Sequence, residues 1–413
     1  MRRIKIITSA GAWGYGPCST LRVLLSSLSE FAEVDFVGQS VALDFALKHK
    51  DQFANVYYDY GQLETNYDLA LSILDVDLLL WSKKFDIPAI SIDNLYWLWD
   101  WNCELFEATT KLVESIDLNT DLNSMREALS FFGRYSDFTA IYTASEIVLW
   151  QRFRTDFPAK LHQFNNKVRC IDPLIDKSCE VIKPNVKNKI LVSLSGMINP
   201  YVGISELHTY MSYVMRLLSN AIEKYEKLEF VFAVHDSVCE DAKKIFRTEK
   251  VYSFGHSEFI NALSESLALI APSGMATIFE SLAYGVPMFT LPEQHDGNFS
   301  NYYSLWKSSN EHDIDVFREI FPEAMLSTRF EDSRNYQISD IYDFYKIEQM
   351  KCGSELIKSI SETLANFIGN CIANSHLMAL CQKERVLNVI GNFDGVQQAV
   401  EIVRKYCLKE GKY

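Results

Sequence analysis

Basic residues are in the minority: 40 Lys and Arg stand against 54 Asp and Glu in 413 residues, a formal net charge of −14. Neutralising a nucleic-acid backbone takes clustered Lys and Arg, so a nucleic-acid partner is disfavoured. A nucleotide-sized ligand, which backbone amides can hold, is not. Long apolar runs are also missing. No stretch approaches the ~18 residues of a membrane span. The apolar run behind Met1-Arg2-Arg3 covers only about six residues before glycines begin, too short for the core of a secretion signal. There is no basic amphipathic segment suited to an anionic membrane, which disfavours a lipid-linked substrate. The nine cysteines are odd in number, scattered and without a Cys-x-x-Cys pair, which fits reduced cytosolic thiols rather than disulfides or structural zinc. A cytoplasmic enzyme or binding protein is the expectation. No internal repeat is visible.

What is present is an ordinary globular composition, 48% apolar and 23% charged, in a chain long enough for two domains. Short apolar runs alternate with longer amphipathic segments, the rhythm of parallel α/β units. In the first half, strands are expected at Ile4–Ser9, Val34–Val37, Asn55–Tyr58, Val76–Leu80, Ala89–Ile92 and Thr139–Thr143, with a helix at Ser19–Phe31 and one or more helices within Glu104–Phe131. The polar, proline-containing stretch 181–188 reads as a linker. After it come strand Lys189–Leu194, helix Glu206–Tyr225, strand Glu229–Val234, helix Cys239–Phe246, strand Val251–Phe254 and helix Glu258–Ser266. Three helices, about Ser354–Asn370, Ile372–Ile390 and Gly395–Cys407, close the chain; Ser308–Ser339 reads as irregular. The division is therefore 1–180, linker 181–188, 189–390, and a last helix in 391–413 that braces the first domain. The fold class is α/β: two facing Rossmann-like, doubly wound domains, with a site in the cleft at the carboxyl ends of both sheets.

The most informative segment runs from Leu267 to Pro292: an apolar strand, the turn Pro272-Ser273-Gly274, a short helix carrying Glu280, then Gly285-Val286-Pro287 and a second apolar strand. A strand that feeds a glycine turn at a helix start leaves backbone N–H groups unpaired at the positive end of the helix dipole, a ready phosphate site.

The ordered set Gly274, Thr277, Glu280, Gly285-Val286-Pro287, Pro292, Asp296 and Asn301 resembles the donor domain of GT-B glycosyltransferases. The nearest echoes are the glucuronosyl- and antibiotic-glycosyltransferases and the peptidoglycan N-acetylglucosaminyltransferase group. The resemblance covers about 50 residues. It implies a nucleotide sugar, UDP- or dTDP-linked, as substrate rather than cofactor, with no metal. It implies that Ser273, Gly274 and Thr277 cradle the pyrophosphate, joined by Ser195 and Gly196 in the turn after Lys189–Leu194. Glu280 would accept from the ribose hydroxyls, Phe254 and His256 would meet the base, and Asp296 and Asn301 would face the donor sugar. A carboxylate also suits a vicinal diol on its own chemistry, since it only accepts and the diol donates twice.

Gly14-Tyr15-Gly16 matches the acceptor-side glycine turn of the same family. Two departures stand out. Pro272 occupies the place where many relatives carry a pyrophosphate-touching His, which leaves His235 or His256 as substitutes. Pro17-Cys18-Ser19 follows the acceptor turn where many members place a catalytic His; Cys18 would need a depressed pKa to act as base. Asp93, after a buried strand, is a candidate base or a turn-forming acid, and Asp59 has a similar position. The aromatics Tyr96–Trp101 line an acceptor pocket or an interior. The triplets Asp75-Val76-Asp77 and Asp313-Ile314-Asp315 have metal-binding spacing, yet read as solvated or turn residues. Three functions are open: a metal-independent, inverting glycosyltransferase acting on an unidentified acceptor hydroxyl; a nucleotide-sugar hydrolase or epimerase; and a non-catalytic nucleotide-sugar-binding or activator subunit.

Overall fold

The computed structural model describes residues 3–12, 15–96, 103–132, 136–153, 166–177, 188–197, 202–292, 294, 301 and 338–409. They form two compact units, Met1–Ile175 with Val389–Tyr413, and Asp176–Asn388. Residues 178–187, which include all of the expected linker but Asn188, lie outside the described residues, and so does 302–337.

The first unit is built on seven parallel strands in the order β3-β2-β1-β4-β5-β6-β7. These are β1 (Ile4–Ala10), β2 (Ala32–Val37), β3 (Val56–Tyr57), β4 (Leu69–Ile73), β5 (Ala89–Asp93), β6 (Ile147–Gln151) and β7 (Val168–Ile171). Strands buried on both faces are largely apolar, and Ile4–Ala10 is buried at every position but Lys5. Helices α1 (Tyr15–Ser29), α2 (Ser40–Lys48), α3 (Val76–Lys84), α4 (Cys103–Glu114), α5 (Leu122–Ser130) and α6 (Ser136–Ala144) connect them.

Two expected strands are helices. Val76–Leu80 lies in α3, and the fourth strand is the preceding Leu-Ala-Leu-Ser-Ile run at 69–73. A short apolar run fits a buried helix as well as a strand, and here the cap decides. Oδ1 of Asp75 accepts the N–H groups of Asp77 (2.8 Å) and Leu78 (3.3 Å), which starts a helix at Val76. The Asp-x-Asp spacing is thus an N-cap followed by an acid in the first turn, where the helix dipole favours it. The second triplet, Asp313 to Asp315, lies outside the described residues. Thr139–Thr143 lies in α6 despite its β-branched residues; Ala140, Ile141 and Tyr142 are buried, and α6 packs against α3 and α4. Tertiary packing here overrides a weak local preference.

The second unit has five parallel strands in the order β10-β9-β8-β11-β12. They are β8 (Lys189–Ser193), β9 (Glu229–Ala233), β10 (Val251–Tyr252), β11 (Ala268–Pro272) and β12 (Met288–Leu291). Between them run α7 (Ile204–Lys224), α8 (Cys239–Phe246), α9 (His256–Ser264) and α10 (Met275–Tyr284). The buried stripe of α7, Leu207, Tyr210, Met211, Val214, Leu217, Leu218 and Ala221, has helical spacing. Helix α11 (Ile338–Met350) packs on it, with Tyr345 stacked on Tyr213 at 4.6 Å. Helix α12 (Glu355–Ile390) is broken at Asn374, whose Oδ1 caps the second half by accepting Leu377 N–H at 3.0 Å. Its Gln382 side chain both donates to and accepts from the Met288 backbone at 2.8 Å, pairing the edge of β12.

The last helix, α13 (Gly395–Lys409), belongs to the first unit, where it packs on α1 and β7. Gln398 holds both the N–H and the carboxylate of Asp172. Gly395 approaches so closely that a Cβ would sit 2.0 Å from the Asp172 carbonyl oxygen. Among the described residues, no helix is long and apolar enough to cross a membrane.

Two substitutions test this description. Gly285 ends α10 in the left-handed region at φ 65°, its N–H bonded to Ser281 O, and it turns the chain into β12. Gly285→Ala should lower unfolding free energy by about 1–2 kcal/mol in urea titration. Asp75 also accepts from the hydroxyls of Ser9 and Tyr60, and burial together with the Asp77 charge pushes its pKa up to about 6. A carboxyl that protonates more readily folded than unfolded adds stability below its unfolded pKa and loses it as pH rises through the folded one. The Asp75 contribution should therefore decline between about pH 4 and 6. Asp75→Asn, which keeps the cap, should flatten that part of the stability profile and be more stable at pH 7 by about 1 kcal/mol or more.

Candidate functional site

In a parallel sheet every strand delivers its chain at the same edge, into a loop and then a helix. The helix turns its free N–H groups back toward that edge. Where the strand order reverses, the loops on either side part, and the crevice between them is the usual ligand position. In the second sheet the reversal lies between β8 and β11, which are paired from Ala268↔Ile190 to Ile270↔Val192. The loops after these two strands carry the predicted phosphate residues.

After β8, a short 3-10 turn holds Ser195 to Met197, with Ser195 half-buried, Gly196 exposed and Met197 buried. The Ser193 and Ser195 hydroxyls are 3.0 Å apart. After β11, Ser273 is buried and Gly274 is the N-cap of α10, with φ −68° and ψ 132°. Glycine offers no side-chain cap, so the first-turn amides of Met275, Ala276 and Thr277 have no acceptor within the helix. A Cβ on Gly274 would meet the Thr277 hydroxyl at 3.4 Å, an ordinary contact. The glycine is thus conformationally replaceable, and its effect is to give the helix no side-chain cap from its own N-cap position. Asn301, nine-tenths buried, donates from Nδ2 to Ser273 O at 2.9 Å. That contact braces the turn from behind. Asp296 lies outside the described residues.

Glu280 is on the second turn of α10 and is buried at 7% exposure. Its Oε1 lies 3.8 Å from Nδ1 of His256, the first residue of α9, so the topology brings the predicted ribose and base residues together. Sequence reasoning missed Asp176, whose Oδ2 is 3.7 Å from the other nitrogen of that ring. Asp176 sits in an unpatterned stretch before the linker, and nothing local marks it. His235, after β9, is engaged locally: its Nδ1 accepts from Ser237 N–H at 3.2 Å and faces the Ser237 hydroxyl at 2.9 Å. Phe254 stacks on Tyr252 at 5.3 Å, interplanar angle 20°. With Lys189, Glu229 and Glu265 these rings line a groove of about 340 Å³ along α9. Lys189 and Glu229 open their strands, so this groove runs down the flank of the sheet toward its amino edge.

On the first sheet the order reverses between β1 and β4. Gly14 lies outside the described residues, and Tyr15 and Gly16 open α1. The Gly16 carbonyl accepts from the Thr20 hydroxyl at 3.2 Å, and Thr20 in turn accepts from Asn94 Nδ2 at 3.2 Å. Cys18 is fully buried and burial pushes its thiol up to about 12, the opposite of what a base needs. Asp59 is an exposed turn former, accepting Gly61 N–H at 2.7 Å.

Asp93, a candidate base or a turn-forming acid, is wholly buried and holds the turn that follows its strand. Its Oδ1 accepts Leu95 N–H at 2.9 Å, and Oδ2 accepts the Tyr142 hydroxyl, itself bonded by Trp150 Nε1 at 2.8 Å. Burial first, and the Asp93 charge second, hold the Tyr142 hydroxyl well above its usual pKa. Tyr96 is buried as well and stacks on Trp150 at 4.4 Å, which makes it interior rather than pocket wall. Residues 97–101 lie outside the described residues.

No family model matches the sequence, and no curated protein is similar to it in sequence. Solved structures do match over whole chains. The glycosyltransferase of kitacinnamycin superposes with a TM-score of 0.51 at 13% identity, covering 98% of this chain and 99% of its own. LpCGTa, solved in complex with UDP, gives 0.51 at 12%, covering 98% and 99%. A protein assigned as a UDP-N-acetylglucosamine 2-epimerase from Listeria monocytogenes gives 0.53 at 12%, covering 99% and 98%. The chain has the GT-B fold. Its two parallel sheets with flanking helices are the two Rossmann-like units of that fold.

The Asp93 network makes a direct prediction. Asp93→Ala strands a buried hydroxyl and an amide, at about 1–3 kcal/mol for such groups, so urea unfolding should show a loss of at least ~2 kcal/mol. Asp93→Asn, whose one carbonyl oxygen can still accept Leu95 N–H while its NH2 donates to the Tyr142 oxygen, should lose about half as much or less. A catalytic base would show the reverse pattern: normal stability and abolished turnover in the Asn variant.

Proposed function

We propose that this protein is a glycosyltransferase that moves a sugar from a nucleoside-diphosphate sugar, UDP- or dTDP-linked, to an acceptor hydroxyl. The reading rests on one observation: a helix N-terminus at the strand-order reversal whose N-cap glycine gives no side-chain cap, with a buried carboxylate on the second turn of the same helix. In this reading the amides of Met275 to Thr277, the Thr277 hydroxyl and the Ser195–Gly196 turn hold the diphosphate. Glu280 accepts from the ribose hydroxyls. Fold likeness to a protein solved with UDP supports the uridine choice.

The chemistry is attack of the acceptor oxygen on the anomeric carbon, with inversion, as the bond to the diphosphate breaks. Charge develops on the departing diphosphate, and the aligned amides and helix dipole meet it without a bound divalent ion. The acceptor proton needs a base, and neither the buried Asp93 nor the raised Cys18 thiol supplies one. A nucleotide-sugar epimerase or hydrolase is the second reading, favoured by the whole-chain likeness to the assigned epimerase.

Calorimetry with UDP, dTDP and GDP tests the donor site. Binding of one of the three is expected, and binding of none would end both readings. If UDP is the nucleotide bound, Glu280→Ala should weaken it by ~1–3 kcal/mol and 2′-deoxy-UDP should lose less on the same substitution; for dTDP, which has only the 3′ hydroxyl, the loss should be correspondingly smaller. Release of free sugar from the matching donor, with no acceptor present, would favour the second reading over the first.

A further inference from the structure

His256 stands between two carboxylates from separate stretches of chain. Nδ1 is 3.8 Å from Glu280 Oε1 on α10, and Nε2 is 3.7 Å from Asp176 Oδ2, on the segment that enters the unit. These separations are long for hydrogen bonds and suit ion pairs made by a protonated ring. All three side chains are sheltered, at 14% exposure for His256, 9% for Glu280 and 16% for Asp176. The arrangement is held from both sides. The Tyr284 hydroxyl of α10 donates to Asp176 O at 2.5 Å, tying the segment of Asp176 to the helix of Glu280. The start of α9 is fixed by Gly255 N–H donating to Glu258 Oε2 at 2.8 Å.

Asp176 and Glu280 face the ring itself; the titratable and charged groups on the elements that carry these three residues include the exposed Lys177 next to Asp176, Tyr284 on α10 and Glu258 on α9. Two sheltered carboxylates this close to one ring make a negative locus. Glu280 lies six residues beyond Gly274, about 9 Å along the helix axis and within a Debye length of its N-terminus. An anionic diphosphate bound at that end would meet the carboxylates' repulsion unless the ring carries a proton. By reciprocity, a ring that gains its proton more readily with the anion bound also makes the anion bind more tightly.

We propose that His256 is a positioning residue and proton-linked counter-charge of the donor site: it orients the Glu280 carboxylate between ring and ribose, and binding of a nucleotide sugar takes up a proton on the imidazole. This rests on the donor-site reading given above. It adds a property the motif residues alone do not have, a dependence of donor affinity on pH.

The test is calorimetric titration between pH 8 and pH 6 with UDP-glucose, or with the dTDP- or GDP-glucose if that base is the one bound. The phosphates of these diesters stay ionised throughout the window, so any pH dependence belongs to the protein. The intact protein should bind about three- to tenfold more tightly at pH 6 than at pH 8. Parallel titrations in buffers of different ionisation enthalpy should show net proton uptake. His256→Gln should bind with a flat profile at or below the pH 8 affinity. Asp176→Asn, which leaves the ring and Glu280 in place, should move the profile to lower pH. Donor binding with no pH dependence, or an unchanged profile in both variants, overturns the inference and leaves the donor site standing. No binding at any pH overturns the donor site and this inference together.

Discussion

Parallel pairing is the constraint from which the functional arrangement follows. All strands of both sheets run the same way, so each sheet collects its loops and helix starts at one edge. The reversal of order between β8 and β11 then separates two of those loops. One helix start at that gap, Gly274, has no side chain with which to cap itself. Unmet N–H groups at a helix end favour an anion, and the sheet fixes where those groups point. The neighbouring pieces act on this end rather than independently of it: Asn301 holds the Ser273 carbonyl, Gly285 returns the helix to β12, and Gln382 pairs the β12 edge.

The second unit was readable because each of its signals is local. Ile190–Val192, Phe230–Ala233 and Ala268–Pro272 are unbroken apolar runs, and α8 keeps the bounds its amphipathic spacing predicts. In the first unit the same reasoning failed where two states share one pattern. Val76–Leu80 is as apolar as a strand, and only the backbone amides gathered by Asp75 make it a helix. Thr139–Thr143 has strand-forming residues but packs as a helix against α3 and α4. Leu69–Ile73 and Val168–Ile171 went unseen because short strands flanked by polar residues carry little periodicity.

Site residues divide along the same line. Ser273, Gly274, Thr277 and Glu280 lie within eight residues of one another, so a turn and a helix place them. Asp176 reaches His256 across 80 positions of sequence (256 − 176), and no spacing rule connects them. Asp93 shows the opposite error. A strand-terminal acid looks available for chemistry, yet Tyr142 and Leu95 occupy both of its oxygens in the interior. Burial is set by what packs from elsewhere, and a single strand does not reveal it. The helix start and its carboxylate therefore have a physical account from their own residues, whereas two of the nominated bases, Asp93 and Cys18, lie in the interior.

A crystal structure with UDP, or with dTDP or GDP if that is the nucleotide bound, tests the central claim most directly. The account predicts diphosphate density against the amides of Met275, Ala276 and Thr277, with the ribose hydroxyls within hydrogen-bonding distance of Glu280 and His256 still beside that carboxylate. A nucleotide bound elsewhere on the chain, with the N-terminus of α10 left to solvent, would contradict it.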